Sequence, residues 1–209
     1  MVRLVTIERE YGSGGADVAR KVADRLGWKL WDQLLTDEIA RLMDCPSRAV
    51  EEHEEKRDSL QYRLFKSFMR GSFEGTLNAP RLKMVDADCI RQMAQQVVLS
   101  AAEQGNGVIV GRGSAYYLSD RPDAFHVFVY ASFHERVRRL QAKGKTKSEA
   151  RELAETVDRE RSEYIRKYFD VEWPARHFFH LMINSTLGDE MVVDTIVHSV
   201  RALESERVR

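Results

Sequence analysis

The sequence is short of cysteine. Its two, Cys45 and Cys89, stand far apart with no Cys-x-x-Cys or Cys/His spacing around them, which argues against a disulfide framework or a cysteine-built zinc site and fits a reducing, cytoplasmic setting. Neither charge is in excess: Lys plus Arg is 33 and Asp plus Glu is 33, so the net charge is zero. Global attraction to nucleic acid or to an anionic membrane is not encoded, and recognition of phosphate has to come from local clusters. Long hydrophobic runs are missing too. The longest, such as Val127 to Ala131, reach about five residues, against the ~20 that a membrane-crossing helix needs. The opening MVRLVTIERE is broken by Arg3 and lacks the apolar core and cleavage site of a signal peptide. Repeats and low-complexity tracts are absent, and what remains, 43% hydrophobic and 32% charged residues over 209 positions, is the composition of one globular domain.

What is present is alternation. Val2 to Ile7 is apolar and β-branched enough for a buried strand, and it runs into the cluster Gly12-Ser13-Gly14-Gly15. Val18, Ala19, Val22, Ala23 and Leu26 then recur at helical spacing, with Gly27 where a C-terminal cap belongs. Trp28 to Trp31 reads as a short second strand and Asp32 to Met43 as a helix stopped by Pro46. Residues 46–83 are helical in pattern, acidic at first and then basic, with seven Lys and Arg from Lys56 to Lys83 against Asp58 and Glu74. A helix over 86–105, a strand at Gly107 to Gly111, a turn or helix at 112–119, a strand at Phe125 to Tyr130, helices from Ser132 and over 147–169, a strand at His180 to Asn184 and a helix over 189–204 complete the chain. Strands separated by helices call for parallel pairing through crossovers, hence an α/β doubly wound domain.

A glycine loop between a first strand and a helix places unhindered backbone N–H groups at a helix N-terminus, where the dipole favours phosphate. A tight turn with no ligand has the same local signature. The wider pattern separates the two. IEREYGSGG, VIVGRGSAYYL at 108–118, HVFVYASFHERVRRL at 126–140, DRERSEYIRKYF at 158–169 and INSTLGDEMVVDTI at 183–196 together, and in this order, resemble the cytidylate kinase-like family of P-loop proteins. The resemblance implies a nucleoside monophosphate kinase-like fold: a central parallel five-stranded sheet, a phosphate loop, a helical acceptor-binding insert with the following core helix over 46–104, and a lid over 133–170, all within a single domain of residues 1–209.

The same resemblance implies ATP and Mg²⁺ as cofactors and assigns roles by position. Gly12, Ser13, Gly14, Gly15 and Ala16 would cradle the donor phosphates. Arg112, in GRG, matches the family's acceptor-phosphate arginine, Asp158 and Arg161 match a sugar-binding aspartate and a phosphate-binding arginine, and Asp32 stands where an aspartate lies near acceptor and metal. Arg136 and Arg159 are the lid cations, with Arg166 and Lys167 as further candidates. The chain also departs from the kinase pattern. The GxxGxGK loop of authentic cytidylate kinases has Arg9 in place of its first glycine and Gly15 in place of its lysine, whose charge bridges the β- and γ-phosphates. Gly113 replaces the aspartate of GRD, and the acceptor motif SGxxYR is absent after Asp32. Arg9, or else Arg20 or Lys21, is expected to supply the lost cation.

Two functions follow: a phosphotransferase acting on a nucleoside monophosphate or a related small phosphorylated acceptor, and a degenerate nucleotide-binding module that regulates a partner without chemistry. Nucleic acid and membrane are not expected partners, and 46–104 is the surface through which a homodimer would form. His177 and His180 have an HxxH spacing but no acidic third ligand nearby, so no metal site made by the protein alone is expected.

Overall fold

The computed structural model describes residues 1–32 and 87–206. The helix expected from Asp32 to Met43 and the basic insert over 46–83, with most of the surface expected to dimerise, lie outside them. Within them the elements are β1 (Leu4–Arg9), α1 (Gly15–Leu26), β2 (Lys29–Trp31), α2 (Ala87–Gln104), β3 (Gly107–Val110), α3 (Ser114–Tyr117), β4 (Ala124–Tyr130), α4 (Phe133–Ala142), α5 (Lys147–Phe169), β5 (Leu181–Asn184) and α6 (Asp189–Glu206).

The strands form one parallel sheet in the order β2-β3-β1-β4-β5. β1 is its centre: Leu4 is level with Gly107 of β3 on one side and with Ala124 of β4 on the other. All six of its residues are buried, and its side chains alternate between the two faces, as a strand covered on both sides requires. Val5 and Ile7 pack with Val18, Val22, Ile196 and Val200 under α1 and α6. Leu4 joins Val97, Val98, Ile109, Leu118 and Tyr164 on the opposite face, under α2, α3 and α5. A third cluster, Tyr11 with Val137, Leu140, Ala150, Ala154 and Val157, binds α4 and α5 to the loop after β1.

The helix ends follow local chemistry. Ser132 accepts from the Glu135 amide and caps α4. Thr146 and Glu149 form a reciprocal capping box on α5, which satisfies two amides that a helix start otherwise leaves orphaned. Among the described residues no helix is long and apolar enough to cross a membrane.

One boundary differs in a way that matters. The apolar pattern ends the first strand at Ile7, but the strand continues through Glu8 and Arg9, which pair in register with Phe128 and Val129 of β4. Strand alternation then directs Glu8 to the α3 face and Arg9 to the α1 face.

Candidate phosphate-binding site

Arg9 and the glycine loop after it lie at the carboxyl ends of β1 and β3, the edge where open parallel sheets bind their ligands. The loop leaves β1 at Arg9 and enters α1 at Gly15. Gly12 and Gly14 both lie at φ +80°, a left-handed conformation that glycine adopts without a steric penalty. The first backbone bond of α1 runs from the Val18 amide to the Gly14 carbonyl. The amides of Gly15, Ala16 and Asp17 therefore have no acceptor inside the helix. Ser13 is fully buried in this loop, and its Oγ makes no hydrogen bond among the described residues.

The two long helices after β4 clamp the loop. Asp158 of α5 accepts the Tyr11 amide at 2.8 Å and pairs with Arg136 at 2.5 Å and with Arg161 at 3.3 Å. Arg136 also donates to the Tyr11 carbonyl and lies 3.3 Å from Glu10. Arg161 donates to the Arg9 carbonyl at 2.8 Å. Burial pushes the Asp158 carboxyl up from its ordinary range, and Arg161 and then Arg136 pull it back. On the far side of the loop Arg139 donates to the Ser13 carbonyl at 2.5 Å and to the Ser185 hydroxyl and carbonyl at 2.9 and 3.0 Å, while Ser185 Oγ donates to the Ser13 carbonyl at 2.6 Å.

Beside the loop is a buried cluster of charge. Arg112 occupies the middle of a run, Gly111-Arg112-Gly113, in which every residue has positive φ: 63°, 63° and 70°. For an arginine that conformation costs about 1–2 kcal/mol and is found where surrounding structure imposes it. Arg112 and Arg161 are each lowered to about 10, in both cases chiefly by burial. Arg112 also feels the positive charge of Arg161, and Arg161 that of Arg9, while Asp32 and Glu8 offset Arg112 and Asp158 and Glu8 offset Arg161. Glu8 is buried, its carboxyl raised by desolvation and pulled down by Arg9, Arg161 and Arg112, and its Oε1 accepts no hydrogen bond among the described residues. Three guanidinium groups, those of Arg9, Arg112 and Arg161, thus share one buried region with the carboxylates of Glu8, Asp32 and Asp158.

Of the residues named from the sequence, the structure brings Arg9, the loop 12–16, Asp32, Arg112, Arg136, Asp158 and Arg161 to this one region. Arg159, Arg166 and Lys167 are exposed on α5. Lys21 is held by Asp189 and Glu190 at 3.3 and 3.1 Å, and Arg20 lies near Asp17. The pattern reading missed Glu8, Glu10, Arg139 and Ser185, whose roles arise from contacts between distant segments. Gly113 in place of an aspartate also finds its reason: a Cβ there would sit 3.2 Å from the Phe169 ring.

The sheet order and the loop at the end of its central strand define a P-loop kinase-like α/β protein. The profile of the cytidylate kinase-like family matches residues 4–187, and the chain belongs to that family. An uncharacterized protein from Eubacterium ventriosum shares the fold with a TM-score of 0.67 at 20% identity, over 97% of this chain and 99% of that one. Shikimate kinase from Acinetobacter baumannii, solved with shikimate, aligns with a TM-score of 0.54 at 13% identity over 97% and 94% of the two chains. Shikimate kinase from Bacteroides thetaiotaomicron gives 0.52 at 15% over 97% and 98%. No curated protein is similar enough in sequence to match. At these identities the structural likeness concerns the fold.

Proposed function

We propose that this chain is an ATP-dependent phosphotransferase whose acceptor is a nucleoside monophosphate or a related small phosphorylated compound. The observation that carries the reading is the convergence of Arg9, Arg112 and Arg161 beside a glycine loop that opens onto helix amides with no acceptor inside their helix. The loop fits a nucleotide's phosphates: Gly12 and Gly14 take the left-handed conformations that turn it into the helix start, and Ser13 holds a buried hydroxyl with no hydrogen bond among the described residues. Among the described residues no group of three or more His, Cys, Asp or Glu side chains is arranged to hold a metal alone. Mg²⁺ would therefore be held jointly by the nucleotide and the carboxylate of Asp32. Bound in that way it would neutralise phosphate charge during transfer.

The chain's own residues do the rest. The amides of Gly15 and Ala16 orient the donor, Arg112 and Arg161 hold the acceptor phosphate in line with it, and Arg9 offsets the charge that the absent loop lysine would have met. Arg136 acts through Asp158 and the Tyr11 carbonyl, and so positions the loop. The pairing of Asp158 with both arginines gives a buried, preorganised frame in which little has to reorient when charge moves.

A second reading, a nucleotide-binding module without turnover, draws on the glycine at position 15. An ADP-release assay with ATP and Mg²⁺ across CMP, dCMP, UMP and AMP, run beside an ATP binding titration, decides between them. Turnover with one acceptor supports the enzyme, and Arg9→Ala should then lower it. Tight ATP binding with no acceptor-dependent turnover selects the module.

A further inference from the structure

Gly15 is the first residue of α1, and its backbone lies outside the left-handed region. Nothing in its own conformation asks for glycine, and at a helical position glycine is the poorer choice beside alanine. The reason lies across the loop. A Cβ on Gly15 would stand 2.7 Å from Arg9 Cβ and 3.0 Å from Arg9 Cγ, with Val129 Cβ 3.4 Å behind. These are the rooted atoms of the arginine, on a buried strand, and they cannot swing aside as a side-chain tip can. Farther along, the Arg9 guanidinium lies against Gly111, its carbon 3.0 Å from where a Cβ would be. Arg9 thus runs through a slot walled by Gly15 on α1 and Gly111 at the end of β3, and the slot delivers its charge beside Glu8 and Arg161.

We infer that Arg9 and Gly15 are two halves of one exchange: the loop's cation enters from its first position instead of its seventh, and the glycine at the seventh is there to let it through. This rests on the reading of the loop as a nucleotide phosphate cradle with Arg9 as its cation, and it deepens that reading by tying the glycine at position 15 to the entry of Arg9. A side chain at position 15 and an arginine at position 9 exclude each other, so either end can hold the cation but not both. The pattern that looks like a damaged loop is then a coherent alternative to it.

The test is a cycle of variants with a stability readout that needs no activity. Gly15→Ala in the native protein should lower Tm by several degrees, whereas relief of helical glycine alone would raise it. In an Arg9→Gly background the same Gly15→Ala change should leave Tm unchanged or raise it. A rise in the native background, or an equal fall in both, overturns the inference, and the native-background measurement decides even if Arg9→Gly does not fold. The functional arm titrates ATP·Mg²⁺. Gly15→Lys alone should bind at least ~10-fold more weakly than Arg9→Gly/Gly15→Lys, which restores the ordinary order of the loop. A double variant no better than Gly15→Lys alone overturns the exchange. Failure of the native protein to bind ATP at all would count against the proposed function, while the Tm cycle would still show whether Arg9 and Gly15 exclude a side chain between them.

Discussion

At the residue scale, Arg112 and Arg161 separate charge from scaffold in different ways. Arg112 stands at φ 63° between two glycines of similar conformation, so its variants divide backbone from side chain. Arg112→Ala keeps the strained φ and loses the guanidinium. Arg112→Gly loses the guanidinium and the strain together. The glycine variant should therefore be more stable than the alanine variant by about 1 kcal/mol, readable as a difference of a few degrees in Tm, while both lose acceptor-dependent turnover alike. Arg161 carries a different expectation. On an exposed helix it would be worth a few tenths of a kcal/mol. Instead it is mostly buried, at 13% side-chain exposure, and bridges Asp158 and the Arg9 carbonyl. Arg161→Ala should cost on the order of 3 kcal/mol of stability in urea unfolding, because it leaves the buried Asp158 with one cation fewer. Any turnover should fall by ~10²-fold, on the scale of losing one preorganised donor. Wild-type stability in Arg161→Ala would mean that Arg136 alone satisfies Asp158.

Elements show where pattern and structure part company. The loop and the helix after it were legible in the sequence because their signals are local: glycines where φ turns positive, Val18, Ala19, Val22 and Ala23 on the buried face, and Gly27 at φ 67° as the C-cap. α5 spans the residues its charge pattern marks, Lys147–Phe169. The two residues added to β1 were not legible, because Glu8 and Arg9 look like the polar end of a strand. They stay in the sheet because β4 pairs with them. The site was read in the same proportion. Residues inside a motif could be named as candidates, whereas Arg139 and Ser185, which hold the Ser13 carbonyl from two different helical segments, belong to no spacing that a sequence displays. Their contact gives the loop its testable rigidity. Gly14 lies at φ +80° with the Arg139 guanidinium 3.0 Å from the position of a Cβ, so Gly14→Val forces a β-branched residue into a left-handed site and displaces the clamp. ATP affinity should fall by at least ~10-fold in a protein that still folds, by isothermal titration and circular dichroism. Retained affinity would reduce the glycine cluster to a turn.

On the scale of the whole molecule, acid should find a weak point beneath the sheet. His126 is 2% exposed. Its Nε2 faces the Leu118 carbonyl at 3.2 Å, which can only accept, so Nε2 carries the proton and Nδ1 accepts from the Thr6 hydroxyl at 2.7 Å. Burial, and then the stacked His180, lower it to about 4. The unfolded chain takes up this proton near pH 6.5 and the folded one only near pH 4, so the stabilisation is complete above 6.5 and is lost as pH falls between those values. Unfolding free energies should decline by about 3 kcal/mol from this group between pH 7 and 4, and His126→Gln should remove much of that slope. The parallel topology has another consequence, in time instead of energy. β1 has both its edges filled by strands that lie about a hundred residues later, at Gly107 and Ala124. At a synthesis rate of about 5–20 residues per second the future centre of the sheet waits on the order of ten seconds with both edges bare. The apolar stretch Leu4 to Ile7 passes that interval between Arg3 on one side and Glu8, Arg9 and Glu10 on the other, charges of the kind that keep an exposed strand from pairing with a neighbour. Glu8 and Arg9, buried in the finished sheet, thus first serve as guards on a nascent chain.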